Sequence, residues 1–197
     1  MMSAAIGVRV HSGWGALVAI SGQLGIEIIE RRKIVIIDPK ATGVTQPYHY
    51  VVEMELRAAE KHLARCAGES RRLALEALRQ TSAQLQNRGF ALVGSAILLS
   101  SARPLPDLDK ILGSHALIHT AEGEFFRLAF RQAFERLEIP VIGIRERELD
   151  DYAQKVFGKA TAEVHKNIDS AGRSLGPPWT NDQKTAALAA AIVLKQN

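Results

Sequence analysis

The chain has 197 residues, with 25 Lys and Arg against 21 Asp and Glu, a formal charge of +4 and a pI near 9.4. It is 47% apolar and 6% aromatic, which excludes disorder, because enough aliphatic surface is present to build a core. The single Cys66 excludes a disulfide framework and fits a reducing, cytoplasmic setting. No apolar run reaches the roughly 18 residues of a membrane span, and residues 1–10 lack the form of a signal peptide.

In chain order, the first forty residues read as a three-stranded meander: strands over 5–10, 14–20 and 26–37, with turns at His11-Ser12-Gly13 and at residues 21–25. Ile26, Ile28, Ile34 and Ile36 share one parity of the third strand, and Arg31, Arg32 and Lys33 interrupt it, as suits a sheet edge. A loop through residues 43–50 leads into the longest helical pattern, 52–88. It is free of Pro, with Gly68 able to split it and Gly89 as its stop. Residues 90–99 are almost wholly apolar, as in a parallel strand buried on both faces. A Pro- and Ser-rich loop follows, then helix over 109–138 broken near Gly113 or Gly123, a short strand over 139–144, and helices over 146–157 and 161–171. Thr180, Asn181 and Asp182 cap a last, Ala-rich helix over 183–195. A meander followed by alternating helices and strands predicts an α/β fold with a mixed central sheet and helices on both faces. The length predicts one domain over 1–197.

That element order is the one ribonuclease H-like domains use, and four stretches carry a more specific likeness. Ile6-Gly7-Val8 followed by Gly13-Trp14-Gly15-Ala16-Leu17-Val18 makes an opening strand, a Gly-bearing turn and a second strand. Residues 135–141 (ERLEIPV) form a helix end and strand start, residues 156–164 (VFGKATAEV) a basic Gly-containing segment, and Asp182 precedes the Ala/Leu run 186–191. Together these resemble bacterial Holliday-junction resolvases of the RuvC type. The resemblance implies carboxylates on the first strand, the fourth strand and the last helix, holding two Mg²⁺ ions about 4 Å apart for phosphodiester cleavage. Here Arg9 stands at the first-strand position, and no Asp or Glu occurs from residue 90 to 106. Asp182 alone remains of the set. The expectation is a non-nuclease relative that binds nucleic acid or a small-molecule ligand, and no membrane, in a polar crevice lined by His11, His115, His119, Glu122 and Asp182.

Several residues carry candidate chemistry beside a plain structural reading. His115, His119 and Glu122 fall at i, i+4 and i+7 on one helix face and could ligate Zn²⁺ or a similar ion. Capping of backbone groups is the other account. His11 and Asp182 are the candidate catalytic pair, His11 as a base with Ser12, Ser100 or Ser101 as its hydroxyl partner. The alternative is a tight turn with Trp14 in the core. Arg9, Trp14, Tyr48 and Trp179 are the candidate ligand-binding residues. In the structural reading the Pro47-Tyr48-His49-Tyr50 group plugs a sheet end instead of stacking on a ring, and Trp179 lids the core. The runs Arg31-Arg32-Lys33 and Arg71-Arg72 could track phosphates, but flanking Glu27, Glu30 and Glu69 suit a solvated face. Nucleotide-binding Gly-rich motifs are absent, and Cys66 on its helical stripe reads as core. Two other classes stand beside the first: a metal- or His-dependent hydrolase using His115 and His119, and a non-catalytic interaction protein with a basic helical surface.

Overall fold

The three aliphatic runs at the start of the chain pair as an antiparallel meander of β1 (Met2–His11), β2 (Trp14–Ser21) and β3 (Glu27–Val35). The apolar run β4 (Phe90–Leu99) then pairs parallel to β1, and β5 (Val141–Arg145) parallel to β4, giving the sheet order β3-β2-β1-β4-β5. This computed structural model describes residues 1–22, 25–100 and 104–197. Gln23 and Leu24 of the second expected turn and Ser101 of the Pro- and Ser-rich loop lie outside them.

Burial of β4 on both faces explains its unbroken hydrophobicity: Ile97 faces one core layer, while Ala96 and Leu98 face the other. The basic run of β3 lies on the sheet edge, as expected. Its parity differs from the expectation, because a bulge opposite Ala19 and Ile20 inserts one residue into β3. Ile28 therefore packs on one face while Ile34 and Ile36 pack on the other. The cationic side chains there are engaged: Arg31 Nη1 donates to the carbonyls of Gly176 and Pro178 at 2.8 and 2.6 Å, and Arg32 bonds Gln84.

The long helical pattern is divided differently from the reading above. A single turn, α1 (Pro47–Tyr50), precedes α2 (Leu56–Asn87), whose N-terminus is capped by the Glu55 carboxylate accepting from Ala58 N–H at 3.3 Å. Gly68 does not split α2, and Gly89, at φ +86°, ends it. The next pattern breaks at Gly113, between α3 (Leu108–Leu112) and α4 (His115–Arg136), and runs unbroken through Gly123. Three phenylalanines of α4, Phe126, Phe130 and Phe134, recur every fourth residue and drive that helix and α2 onto one sheet face. On the other face sit α5 (Leu149–Phe157), α6 (Thr161–Ser174) and α7 (Asn181–Gln196).

The Ala-rich face of α7 serves close approach. At Gly7 a Cβ would stand 1.8 Å from the carbonyl oxygen of Ala186, so the helix backbone rests directly on β1 and only glycine fits there. That contact carries the first turn of α7 to the C-terminal end of β1. Among the described residues no helix is long and apolar enough to cross a membrane.

Candidate functional site

The strands β1, β4 and β5 run parallel, so their C-terminal ends line up along one side of the sheet, where ligand crevices form in such folds. Arg9 and His11 lie at the end of β1, Glu146 follows β5, and Asp182 comes from the first turn of α7. Arg9 joins them. Its Nε and Nη2 donate to Glu146 Oε1 at 3.1 and 2.6 Å, and its Nη1 donates to Asp182 Oδ1. The bond to Glu146, with Asp182 beside it, outweighs burial and holds this guanidinium even more firmly protonated than usual. His11 Nε2 stands 3.1 Å from Asp182 Oδ1, outside the alignment that a hydrogen bond requires. The His11 ring stacks on Trp14 at 4.3 Å, and Lys33 Nζ sits 4.3 Å from the centre of the Trp14 ring.

From the opposite helix layer, α4 contributes Glu124 and Arg127. Arg127 Nε donates to the Leu98 carbonyl at 3.0 Å and its Nη1 to Glu124 Oε1 at 3.3 Å, while the Ser100 hydroxyl donates to Glu124 at 3.4 Å. Burial lowers the affinity of Arg127 for its proton, and Glu124 and Glu146 work against that. Two guanidinium groups thus sit among three carboxylates, each cation already engaged. Glu124, Glu146 and Arg127 were not singled out from the sequence. Glu146 could have been, since it is the first residue after a parallel strand.

A second polar cluster lies at the start of α4. His115 and His119 stack edge to face at 4.4 Å, and α1 brings His49 to them, with ring centroids 5.9 Å from His115 and 4.8 Å from His119. One ring nitrogen from each of the three lies within 4.8 Å of the others. Glu122 does not stand beside His115 and His119 as a third ligand. It turns inward, only 6% exposed, and its Oε1 accepts from the backbone N–H groups of Tyr48 and His49 at 2.8 and 3.0 Å. The same oxygen lies 3.2 Å from His49 Nδ1. Burial raises the Glu122 carboxyl above the usual carboxylate range, and the bonds from His49 and Tyr48 oppose that rise.

The expectation of one crevice lined by His11, His115, His119, Glu122 and Asp182 is therefore corrected. His11 and Asp182 meet, but the other three belong with His49, because they lie in the first turns of α4, where α1 packs, while Glu124 and Arg127 further along α4 reach the crevice. Of the expected ligand-binding residues, Arg9 and Trp14 are in the crevice. Tyr48 packs edge to face on Phe125, and Trp179 covers Gly172, where a Cβ would fall 1.8 Å from the indole. Ser12 is exposed, and Ser100 bonds Glu124. Cys66 is buried, as its helical stripe predicts, and burial pushes its thiol up. A separate apolar cavity of about 230 Å³, lined by Ile20, Ile26, Phe157, Val164 and Leu194, opens at the other end of the sheet, away from all these polar groups.

No known family description matches the sequence, and no curated protein matches it. Solved structures do. RuvC of Thermus thermophilus in complex with a Holliday-junction substrate superposes with a TM-score of 0.51 at 10% identity, covering 96% of this chain and 91% of that one. A second RuvC structure from the same organism gives 0.49 at 11% identity, covering 96% and 92%. The fold is ribonuclease H-like, the fold that RuvC also has.

Proposed function

We propose that this protein is a non-cleaving relative of RuvC that binds structured nucleic acid across the C-terminal ends of β1 and β5. One observation carries the reading: Arg9 bridges Glu146 and Asp182 at the place where, by the RuvC resemblance, a first-strand acid would help to hold Mg²⁺. A unit charge 4 Å from another is worth about 4 kcal/mol at an effective dielectric constant near 20, so a divalent ion beside this guanidinium meets repulsion of about 8 kcal/mol. Glu146 and Asp182 still attract the ion, but their Oε1 and Oδ1 atoms are held by the guanidinium, so a metal has to displace Arg9 to be ligated by them. Charge on either side of the crevice suits phosphates. Arg147 is largely exposed after β5, Arg145 ends that strand, and Lys33 lies over Trp14 beside β1. The stacked His11 and Trp14 rings offer an aromatic surface between them. The printed description of the structural relative, a complex with a Holliday junction, makes branched DNA the first ligand to test.

The test is a gel-shift titration of four-way and linear DNA, run with and without Mg²⁺ or Mn²⁺. Binding that weakens steeply with salt, that falls in Lys33→Glu and Arg147→Glu, and that leaves the DNA intact is expected. Metal-dependent cleavage, or no binding even at low salt, overturns the reading.

A further inference from the structure

We propose that His49, His115 and His119 form a three-histidine site for a Zn²⁺ ion, with Glu122 as the group that positions His49. The site is independent of the DNA reading. Along α4, His119 and Arg127 are eight residues apart, an axial separation of about 12 Å.

The chemistry of the donor set is the first ground. Imidazole nitrogen is a preferred zinc ligand, and three of them with an open fourth position form the usual arrangement of a reactive centre. The three rings come from two elements: His115 and His119 sit one turn apart on α4, and His49 is delivered from α1. Their nitrogens lie within 4.8 Å of one another. Tetrahedral ligands about 2.05 Å from zinc are about 3.3 Å apart. The tripod thus needs to close by about 1.5 Å, within the reach of χ rotations in two exposed side chains.

Glu122 supplies a second, independent ground. Its Oε1 already accepts two backbone N–H groups, so at His49 Nδ1 it acts again as an acceptor and that nitrogen carries the hydrogen. His49 is thereby turned with Nε2 as its free donor, the orientation that a carboxylate–histidine–zinc triad imposes. The other oxygen, Oε2, is buried with no hydrogen-bond partner among the described residues. A buried carboxylate in that state calls for a positive charge close by, and a dication on His49 provides one. His49 and His115 also line a groove with Tyr50, Val52, Glu53 and Leu112, through which water or a small anionic ligand can approach the site.

The experiment uses the full chain without an affinity tag, stripped with chelator. Co²⁺ is titrated in first and followed by its visible absorption, then Zn²⁺ is added in competition, and melting temperature is read with and without Zn²⁺. One equivalent of Co²⁺ with tetrahedral-type bands, displaced by Zn²⁺, and a melting temperature raised by Zn²⁺ are expected. Because His115 and His119 are exposed, their alanine variants keep the fold. Each is expected to weaken zinc binding by more than Glu122→Gln, which costs roughly 10- to 100-fold. His62, whose Nε2 lies 3.3 Å from Cys66 Sγ, is the competing soft pair, and His62→Ala is expected to bind zinc as the unaltered chain does. No stoichiometric binding, unchanged binding in His115→Ala and His119→Ala, or loss of binding in His62→Ala alone each overturns the proposal.

Discussion

The two polar clusters of this molecule solve opposite electrostatic problems. At the end of β1 the charges answer one another: Arg9 lies between Glu146 and Asp182, and Arg127 is tied to Glu124 and to the end of β4. At the start of α4 three imidazoles converge, and one of them, His49, contacts an acidic group whose second oxygen has no partner among the described residues. The first cluster is closed, because each guanidinium is already bonded to carboxylates. The second is open, because three imidazole rings face one another with no cation or carboxylate shared between them. The lesson is that residue type alone does not mark a site: Asp182, the one acid left of the set that the RuvC resemblance implies, is held by Arg9 in the structure.

Reversing the charge at the closed cluster should have the largest effect. Arg9→Asp leaves carboxylates facing one another with no cation between them, and is expected to cost about 3 kcal/mol or more in chelator. Mg²⁺ should restore part of that loss, which urea unfolding with and without the ion would measure. Equal stability of the variant and the parent in chelator would show that Arg9 does not hold the cluster together. A smaller change is expected from the seat of Asp182. The Gln183 side-chain oxygen accepts from the Thr180 N–H and hydroxyl at 2.9 and 2.6 Å, which fixes the start of α7. Thr180→Ala should lower stability by about 1 kcal/mol. Zinc affinity should be untouched, since the histidines lie on the other side of the sheet. A parallel fall in zinc affinity would mean that the two clusters are coupled.

The smallest effect concerns the boundary of the open cluster. Burial raises the Cys66 thiol above its ordinary range, so less thiolate exists at neutral pH than in an exposed cysteine. Alkylation should therefore be slow, should speed up as pH rises towards the raised value, and should be indifferent to zinc. Protection by zinc in the folded chain would add sulfur to a ligand shell otherwise made of histidine alone.

Much of the fold is legible from local pattern. The apolar run of β4 predicts its bounds, Gly89 and Gly113 mark real helix ends, and the Ala-rich stretch predicts a buried α7. The bulge in β3 is not legible, since only pairing with β2 shows that Ile28 and Ile34 face opposite layers. In the sites, spacing brought out His115 and His119, and the RuvC resemblance brought out Arg9 and Asp182. His49 as their companion, the inward turn of Glu122 and the reach of Glu146 to Arg9 escaped notice, because each depends on segments far apart in the chain.

Amino-acid order by itself determined the elements and their sequence, since periodicity, caps and glycine stops act over a few neighbouring residues. It also placed a cation, Arg9, on the first strand. Which charges meet was decided only in three dimensions, where α7 lies against β1 at Gly7 and α1 docks on α4. Coulomb forces and hydrogen bonds act over a few ångströms of space, and distance along the chain says nothing about that separation.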